Sequence, residues 1–433
     1  MRIVTWDKNI ESKILSDLKK RSPVNYPEQE ERVKDILTDV RLRGDAAVFD
    51  YAAEFDGAAL SAENVEVTPE EIDAARRSLP PEFLEVLSKA GENIRSFHEK
   101  QRRESWYDRE REGIVLGQQI TPLARVGVYV PGGKAVYPSS VLMNIIPAKV
   151  AGVDEIIMTT PCDREGRIHP ATLAAAAVAG ADRVFKVGGA QAIAAMAYGT
   201  ESIPRVDKIV GPGNIYVALA KKAVFGYVSI DAVAGPSEIL VLADETADPR
   251  FTAADLLSQA EHDEMASAIL ITTSAALAEQ VAKEADRMME TLSRREIIGK
   301  ALTNYGYILV VPDLDLGIAL ANEIASEHLE ILTRDPEAVL PRIRNAGAIF
   351  LGPYSCEPLG DYFAGPNHVL PTNGTARFFS PLSVDDFIKK SSVISYSRDA
   401  LRDVSEDIAG FAEMEQLTAH ANSIRIRFEE EEK

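Results

Sequence analysis

The feature that most constrains this chain is a regular alternation of short apolar runs with longer helical stretches, from residue 125 to residue 351. The runs EIIMTT and AILITT are apolar on both faces, which is typical of strands buried in a sheet. Strands that alternate with helices in this way form parallel βαβ units, with helices covering both faces of the sheet. The sequence therefore predicts an α/β fold.

The alternation falls into two series, one in residues 126–235 and one that begins at Ser237, in residues 236–381. EIIMTTP and AILITTS hold comparable places in the two series, since each is a strand that follows a helix. We therefore predict two Rossmann-like parallel-sheet domains built on a duplicated, incomplete unit. A long Gly-, Pro- and Asn-rich loop follows Gly352 within the second series, and loops of this length are usually functional.

The segments before the first series are predicted to be mainly helical. Residues 1–25 contain a short strand near Ile3 and a small helix that ends before Pro23. Residues 26–125 form a helical region that packs with the second α/β domain, and Thr68-Pro69-Glu70-Glu71 is typical of a capped helix start. Trp106, in a charged stretch, is interpreted as a packing anchor.

The tail, residues 382–433, is predicted to be a small, mainly helical domain. It contains a short helix, the strand SSVISYS and a long helix that continues to about Ser423. The final residues, RFEEEEK, are expected to fray.

The composition excludes several classes of protein. A net charge of −20 disfavours nucleic acid as a partner, because phosphate binding requires a concentrated basic face. Cys162 and Cys356 are far apart and form no CxxC motif, so neither a disulfide framework nor a thiolate zinc site is indicated. The N-terminus has no signal-peptide core, and the apolar runs are shorter than the ~20 residues that span a bilayer. We predict a cytoplasmic protein with no membrane partner.

Gln259 and His262 are the first candidate ligands. They are three residues apart near the end of a predicted helix, residues 251–264, so they lie on one helix face and can converge on a metal ion. The alternative is that His262, between Glu261 and Asp263, is an ordinary surface histidine.

The other candidate polar residues differ in how well their position supports a function. Glu327 and His328 lie at a helix-to-strand junction, whereas ligands of open α/β sheets gather at the carboxyl ends of strands. Asp361 and His368 follow the strand 347–351 and are therefore favoured by position.

The remaining histidines have a plainer interpretation. Glu415 and His420 are five residues apart and point about 140° apart on a regular helix, so a solvated face is the alternative to a site. His98 and His169 lie in polar surroundings and are predicted to be solvated.

Three glycine turns follow predicted strands and open helices, as a nucleotide site requires: Gly132-Gly133, Gly188-Gly189 and Gly211-Pro212-Gly213. None completes the G-x-G-x-x-G fingerprint, because the nearest match, GPGNIY, ends in Tyr216. Generic turns between strand and helix are the alternative explanation.

Several longer segments together resemble the histidinol dehydrogenase family over nearly the whole chain. They include VGVYVPGGKAVYPSSVLMNIIPAKVAGV, IDAVAGPSEILVLAD, DLLSQAEHD, SEHLEI, GAIFLGPYSCEPLGDYFAGPNHVLPT and FAEMEQLTAHANSI. The resemblance implies an oxidoreductase of histidine biosynthesis that oxidises L-histidinol to L-histidine through L-histidinal, with NAD and one zinc ion.

The resemblance also assigns roles to residues of this sequence. It implies Glu327 and His328 as the acid/base pair, and a homodimer whose tail helix reaches the neighbouring subunit's site. The implied zinc ligands are Gln259, His262, Asp361 and His420. The implied substrate contacts are Ser237, Gln259, His262, His328, Asp361, His368, Glu415 and His420. The implied NAD contacts are Tyr129, Gln191 and Asn214.

Two alternatives remain open from the residues alone. A zinc-dependent hydrolase would use the same metal and a water activated by Glu327, without a cofactor. A non-catalytic paralogue would keep the fold as a metal-binding protein, but it is expected to lose some of these residues, and none is missing.

Overall fold

The computed structural model describes residues 1–21, 26–132 and 136–429. The chain divides into two compact units, which are described separately. The larger comprises Met1–Gln101 and Leu123–Phe387, and the smaller comprises Arg102–Pro122 and Ile388–Lys433. Outside the described residues lie Pro23, Gly133 of the predicted turn, and residues 430–433 of the segment that is expected to fray.

The strands, in chain order, are β1 (Arg2–Thr5), β2 (Trp106–Asp108), β3 (Ile114–Pro122), β4 (Arg125–Tyr129), β5 (Glu155–Thr159), β6 (Arg183–Phe185), β7 (Lys208–Val210), β8 (Ser229–Ile230), β9 (Glu238–Ala243), β10 (Ser267–Thr272), β11 (Gly306–Val310), β12 (His328–Leu332), β13 (Ala348–Leu351) and β14 (Ile388–Tyr396).

The helices are α1 (Lys8–Lys19), α2 (Pro27–Arg43), α3 (Asp45–Phe55), α4 (Pro69–Ser78), α5 (Pro81–Glu99), α6 (Pro138–Ala151), α7 (Pro170–Ala179), α8 (Gly189–Tyr198), α9 (Ile215–Val224), α10 (Pro249–Ala260), α11 (Ala275–Met289), α12 (Arg295–Tyr305), α13 (Leu314–Ile324), α14 (Pro336–Val339), α15 (Glu357–Tyr362), α16 (Arg398–Asp403), α17 (Ser405–Met414) and α18 (Thr418–Arg425).

Two parallel sheets form the larger unit, as predicted. The first has five strands in the order β6-β5-β4-β7-β8, and the second has six in the order β1-β11-β10-β9-β12-β13. When the strands are counted from β4 and from β9, both sheets have the order 3-2-1-4-5, and EIIMTTP and AILITTS contribute the second strand of each. This shared order supports the duplicated unit, to which β1 adds an edge strand.

Helices cover both faces of each sheet, because alternate strand residues face opposite ways and both sets are apolar. On the five-stranded sheet, α5, α6 and α7 pack on one face, and α2, α8 and α9 pack on the other. The helices α2 and α5 of the region 26–125 therefore pack with the first α/β series, and the prediction that this region packs with the second is wrong. On the six-stranded sheet, α10, α11 and α12 share one core, and α1 and α13 share the other. The helix α12 has no counterpart in the sequence prediction.

The helix start predicted from neighbouring residues at Thr68 is confirmed, whereas the prediction for Trp106 is not. Thr68 and Glu71 form the predicted capping box, with the Glu71 N–H 3.3 Å from Thr68 Oγ1 and the Thr68 N–H 2.8 Å from Glu71 Oε2. Trp106 is different, since it lies on β2 with 54% of its surface exposed, so the packing-anchor prediction is wrong within the described chain.

The smaller unit is an antiparallel sheet, β14-β3-β2, with the helices α16, α17 and α18. The predicted long last helix is wrong. It is interrupted at Gln416, whose φ of 64° cannot continue a right-handed helix, and it restarts as α18. Within the described ranges, no helix of either unit has the length and apolar character needed to cross a membrane.

Candidate active site

The candidate site lies at the amino edge of the six-stranded sheet. His328 opens β12, and the end of α10 returns to the same edge before β10 begins. Asp361 reaches this edge because α15 runs back along the sheet from the end of β13. The Glu357 N–H at its start donates to Glu330 Oε1 at 2.9 Å, and Asp361 Oδ1 lies 3.8 Å from His328 Nε2.

This placement corrects the prediction that favoured residues at the carboxyl ends of strands. Asp361 and His368 follow β13, but they do not stay at its carboxyl end, because α15 carries the chain back beside β12. The Glu327–His328 junction, which position alone did not favour, is therefore where the polar residues converge.

Three imidazoles beside Asp361 are held in the same way. In each ring Nδ1 faces a backbone carbonyl oxygen, which only accepts hydrogen bonds, so these partners place the proton on Nδ1 and leave a lone pair on Nε2. The Nδ1–O pairs are His328 with Glu238 at 3.0 Å, His262 with Ser258 at 3.0 Å, and His368 with Asp361 at 3.1 Å. Each ring can thus offer Nε2 to a metal or to a substrate proton.

Glu327 and His328 form a buried acid/base pair. Glu327 Oε2 accepts from the Glu238 N–H at 2.9 Å and lies 3.7 Å from His328 Nδ1. Burial raises the pKa of Glu327 to about 7. Burial alone would lower the pKa of His328, but the charges of Glu327 and Asp361 outweigh it and raise the pKa to about 10. His328 therefore becomes a neutral base only where a ligand takes up the charge of Asp361.

A group of ligand atoms converges at the same point. One ligand atom each from His262, Glu357 and Asp361 lies within 4.8 Å of the others, and such nitrogen and oxygen donors suit zinc. Gln259 is 1% exposed, and neither of its amide atoms has a hydrogen-bond partner among the described residues. Buried amides are nearly always partnered, so these donors fit a site for a bound ion or substrate.

The structure differs from the sequence prediction in two details of this group. The helix α10 ends at Ala260, so His262 lies just beyond it, and its N–H still bonds Gln259 O at 3.2 Å. Glu357 was not predicted. The sequence feature that could have indicated Glu357 is its four-residue spacing to Asp361 within CEPLGD. That spacing puts two residues on one face only in a helix, and this part of the long loop was not predicted to be helical.

Arg21 is far from the site in sequence but forms hydrogen bonds that support it. This role was not predicted from the sequence. Its buried guanidinium donates to Glu238 Oε1 at 2.9 Å, to Ser237 O at 3.0 Å and to Met265 O at 2.7 Å. These bonds tie the start of β9 to the turn before β10. Ser237, a predicted substrate contact, is therefore held beside the amino edge.

The prediction that His98 is solvated is wrong. His98 has 0% exposure, its Nδ1 lies 2.7 Å from Ile94 O, and its Nε2 lies 3.3 Å from Asn367 Nδ2. Asn367 also donates to Met143 O at 2.7 Å, so α5 and α6 together fix the loop that carries His368. His169 is exposed at the start of α7, as predicted.

The predicted NAD contacts lie at the carboxyl edge of the five-stranded sheet. Tyr129 ends β4, Gln191 lies in the first turn of α8, and Asn214 caps α9. The strands β4 and β7 are neighbours whose connections lead in opposite directions, which is the switch point where open α/β sheets bind ligands. Gln191 Oε1 is buried and has no hydrogen-bond partner in the part of the chain that the structure describes.

In one of the glycine turns at this edge, the backbone geometry requires a glycine. Gly211 has a φ of 112°, and a Cβ there would lie 2.0 Å from Tyr129 O. The close approach of two chain segments thus explains this glycine.

Ser140 connects the two edges. It lies in the first turn of α6, which follows β4, and its Oγ is 3.3 Å from His368 Nε2. A cavity of about 370 Å³ opens beside His328, Asp361 and His368, with Phe350 and Leu359 on its apolar wall. A substrate in this cavity would contact His328, Asp361 and His368.

Glu415 and His420 belong to the smaller unit. Glu415 follows the last residue of α17, His420 lies in α18, and both are exposed. The break at Gln416 means that the two side chains are not on one regular helix, so the 140° separation does not apply. Their part in the site stays a prediction.

Comparisons with known proteins identify the family. The family model for histidinol dehydrogenase matches residues 19–428. Histidinol dehydrogenase from Halalkalibacterium halodurans is 56% identical over 431 residues, which cover 100% of both chains, and that from Caldanaerobacter subterraneus is 57% identical over 98% of both chains. The crystal structure of histidinol dehydrogenase from Elizabethkingia anophelis covers 99% of this chain and 98% of its own, with a TM-score of 0.92 and 36% identity. The chain therefore belongs to the histidinol dehydrogenase family of oxidoreductase enzymes.

Proposed function

We propose that this enzyme oxidises L-histidinol to L-histidine through L-histidinal, with zinc and NAD, in the last steps of histidine biosynthesis. The observation that carries the proposal is the convergence of Glu327, His328, Asp361 and His262 at one sheet edge, in a chain whose full-length relatives are named histidinol dehydrogenases. Each oxidation removes a hydride and a proton, and the second also consumes a water molecule.

Gln259, His262, Asp361 and His420 are the proposed zinc ligands. The buried, unpartnered amide of Gln259 and the lone pair on His262 Nε2 support the first two. When bound, zinc would supply a Lewis-acidic template that holds substrate nitrogen atoms and so orients the reacting carbon. Ser237, His368 and Glu415 complete the proposed substrate contacts.

His328 is the proposed base that takes the alcohol proton. Its Nδ1 is tied to Glu238 O, so Nε2 is the atom that can accept once a ligand takes up the charge of Asp361, and this atom has no hydrogen-bond partner within the described chain. Glu327 is the proposed group that activates the water added to the aldehyde. Its burial supports this role, because it raises the pKa of Glu327 to about 7, where a carboxylate can accept a proton.

Tyr129, Gln191 and Asn214 are the proposed NAD contacts, and NAD would accept the hydride in each oxidation. The partnerless Gln191 Oε1 and the exposed cap of α9 at Asn214 support this, since a helix start suits a phosphate. We further propose a cytoplasmic homodimer in which Glu415 and His420 act in the neighbouring subunit's site.

The test is a NADH absorbance assay with L-histidinol. NADH is expected to accumulate, to stop after chelation and to return when zinc is added. No NADH under saturating substrate and zinc would reject the proposal. Hydrolysis of an ester or amide without NAD would favour the zinc-dependent hydrolase instead.

A further inference from the structure

Glu357 occupies an unassigned position beside the proposed metal ligands. It begins α15, one turn before Asp361, so both carboxylates lie on one helix face. It is 2% exposed, and its ligand oxygen lies within 4.8 Å of those of His262 and Asp361. Ligand atoms about 2.2 Å from one zinc ion are at most about 4.4 Å apart, so a small side-chain rotation suffices for all three to bind it.

The surroundings of Glu357 offer its carboxylate few hydrogen-bond donors. Its Oε2 accepts from Ser258 Oγ at 3.0 Å, but that hydroxyl has one hydrogen, and Asp255 O competes for it at 2.8 Å. The neighbouring carboxylate of Asp361 adds negative charge, which the charge of His328 opposes. A buried carboxylate in such a place requires a cation or a proton to offset the loss of water.

Two independent observations indicate a ligand at the same place. His328 is 3% exposed, and its Nε2 has no hydrogen-bond partner in the described chain although it lies 3.8 Å from Asp361 Oδ1. Gln259, one residue after Ser258, has no hydrogen-bond partner for either amide atom within residues 1–21, 26–132 and 136–429. Buried polar atoms without partners mark places where a ligand supplies the missing contacts.

We propose that Glu357 is a direct metal ligand of the substrate-free enzyme, together with His262 and Asp361. This set lies within one protomer and includes no residue of the tail. It therefore lets the larger unit hold the ion before substrate binds. The inference rests on the proposed function only in taking the ion to be zinc. It does not depend on the proposed oxidation of L-histidinol.

The test measures zinc affinity of full-length, substrate-free protein by competition with a chromophoric chelator. Glu357→Gln is expected to raise the zinc Kd at least about 10-fold, the size seen when a supporting group of a metal site is lost. The visible absorption spectrum of the Co²⁺-substituted protein is expected to change as well, because the spectrum reports the ligands that touch the ion.

Glu330→Gln is the matched control. It removes a carboxyl of equal burial from the same cluster, one that does not belong to the converging ligand atoms. We expect a smaller loss of affinity and an unchanged Co²⁺ spectrum. Equal losses in both variants would mean that cluster charge, rather than coordination by Glu357, holds the ion, and would overturn the proposal.

Glu357→Asp keeps the test decisive if the glutamine variant does not fold. It retains the charge with a shorter reach, so an intermediate affinity and a shifted Co²⁺ spectrum are expected. Wild-type affinity and spectrum in either variant would overturn the proposal.

Failure of this inference is separable from failure of the proposed function. If the wild type oxidises L-histidinol while the Glu357 variants keep the metal, only the ligand assignment is wrong. If the wild type binds zinc through Glu357 but produces no NADH, only the proposed reaction is wrong.

Discussion

At the scale of single residues, the site depends on how each imidazole is oriented. The rings of His328, His262 and His368 are all held through Nδ1 by backbone carbonyls, which are present whatever the side chains nearby. Their chemistry then depends on what Nε2 faces. For His328 that is Asp361 Oδ1 at 3.8 Å, and for His368 it is Ser140 Oγ at 3.3 Å.

His328→Asn is expected to lower turnover by ~10² to ~10⁴, the usual contribution of a positioned base, while zinc content stays at the wild-type level. Turnover is measured by NADH formation and zinc by elemental analysis of the same sample. Metal loss in this variant would show that His328 is a ligand rather than the base. His169→Asn, at an exposed position, is the control for nonspecific effects of losing an imidazole.

His98 gives a stability prediction with a defined sign. Burial lowers its pKa below 6.5, because charging the ring inside the protein is costly. The unfolded chain therefore binds the proton more tightly, and the contribution of His98 to stability is complete above the unfolded pKa and is lost as pH falls through the folded pKa.

We expect the Tm of the wild type to fall between about pH 7 and about pH 5, and to fall less in His98→Gln, which cannot take up that proton. Thermal unfolding monitored by circular dichroism at each pH measures the difference. The comparison variant is His169→Gln. An equal reduction of the slope in both variants would contradict the assignment to His98.

At the scale of elements, two short features decide where side chains meet. The six-residue helix α15 carries Glu357 and Asp361 back to the amino edge of β12. The turn after β7 brings Gly211 against the end of β4, and its N–H donates to Asp231 Oδ2 at 2.8 Å. Buried Lys221 also donates to Gly211 O, at 2.9 Å. This turn is thus fixed on both sides next to Tyr129.

Gly211→Ala is expected to destabilise the protein and to weaken NAD binding, because a Cβ would meet Tyr129 O at 2.0 Å. The matched control is Gly226→Ala. That glycine has a similar φ of 105°, but nothing lies within 4 Å of its Cβ. Both variants carry the backbone strain of roughly 1–3 kcal/mol, so the excess loss at Gly211 measures the clash.

Urea unfolding gives the free-energy difference, and fluorescence titration gives the NAD Kd. Equal destabilisation of the two variants, with unchanged NAD affinity, would contradict this prediction. It would mean that the turn tolerates a Cβ next to Tyr129 O and does not shape the edge of the five-stranded sheet where NAD is proposed to bind.

At the scale of the whole molecule, the fold presents two unlike edges of two similar sheets to one another. The carboxyl edge of the five-stranded sheet carries Tyr129 and Ser140, and the amino edge of the six-stranded sheet carries His328 and Asp361. The contact between Ser140 and His368 joins them. Such an arrangement would place the proposed NAD contacts at one edge and the proposed proton-transfer residues at the other.

The proposed exchange of tails predicts recovery of activity in mixed dimers. In a heterodimer of His328→Asn and His420→Asn chains, one site has both substitutions and the other has neither. With random pairing, about a quarter of wild-type activity is expected, since half of the dimers are mixed and each has one intact site. The two inactive variants are unfolded, refolded together and assayed for NADH formation. Activity no greater than that of the separate variants would contradict the exchange.

The sequence by itself determined the strand and helix alternation, the capping box at Thr68 and the family, because these depend on the order of near neighbours and on contiguous motifs. Only the tertiary structure decided that Asp361 returns to the amino edge, that Glu357 joins it, and that His98 is buried. The hydrogen bond between Asn367 and His98, and that between Arg21 and Glu238, connect residues more than two hundred positions apart. No local pattern reports such contacts, since burial and charge at these positions are set by whichever distant segment packs against them.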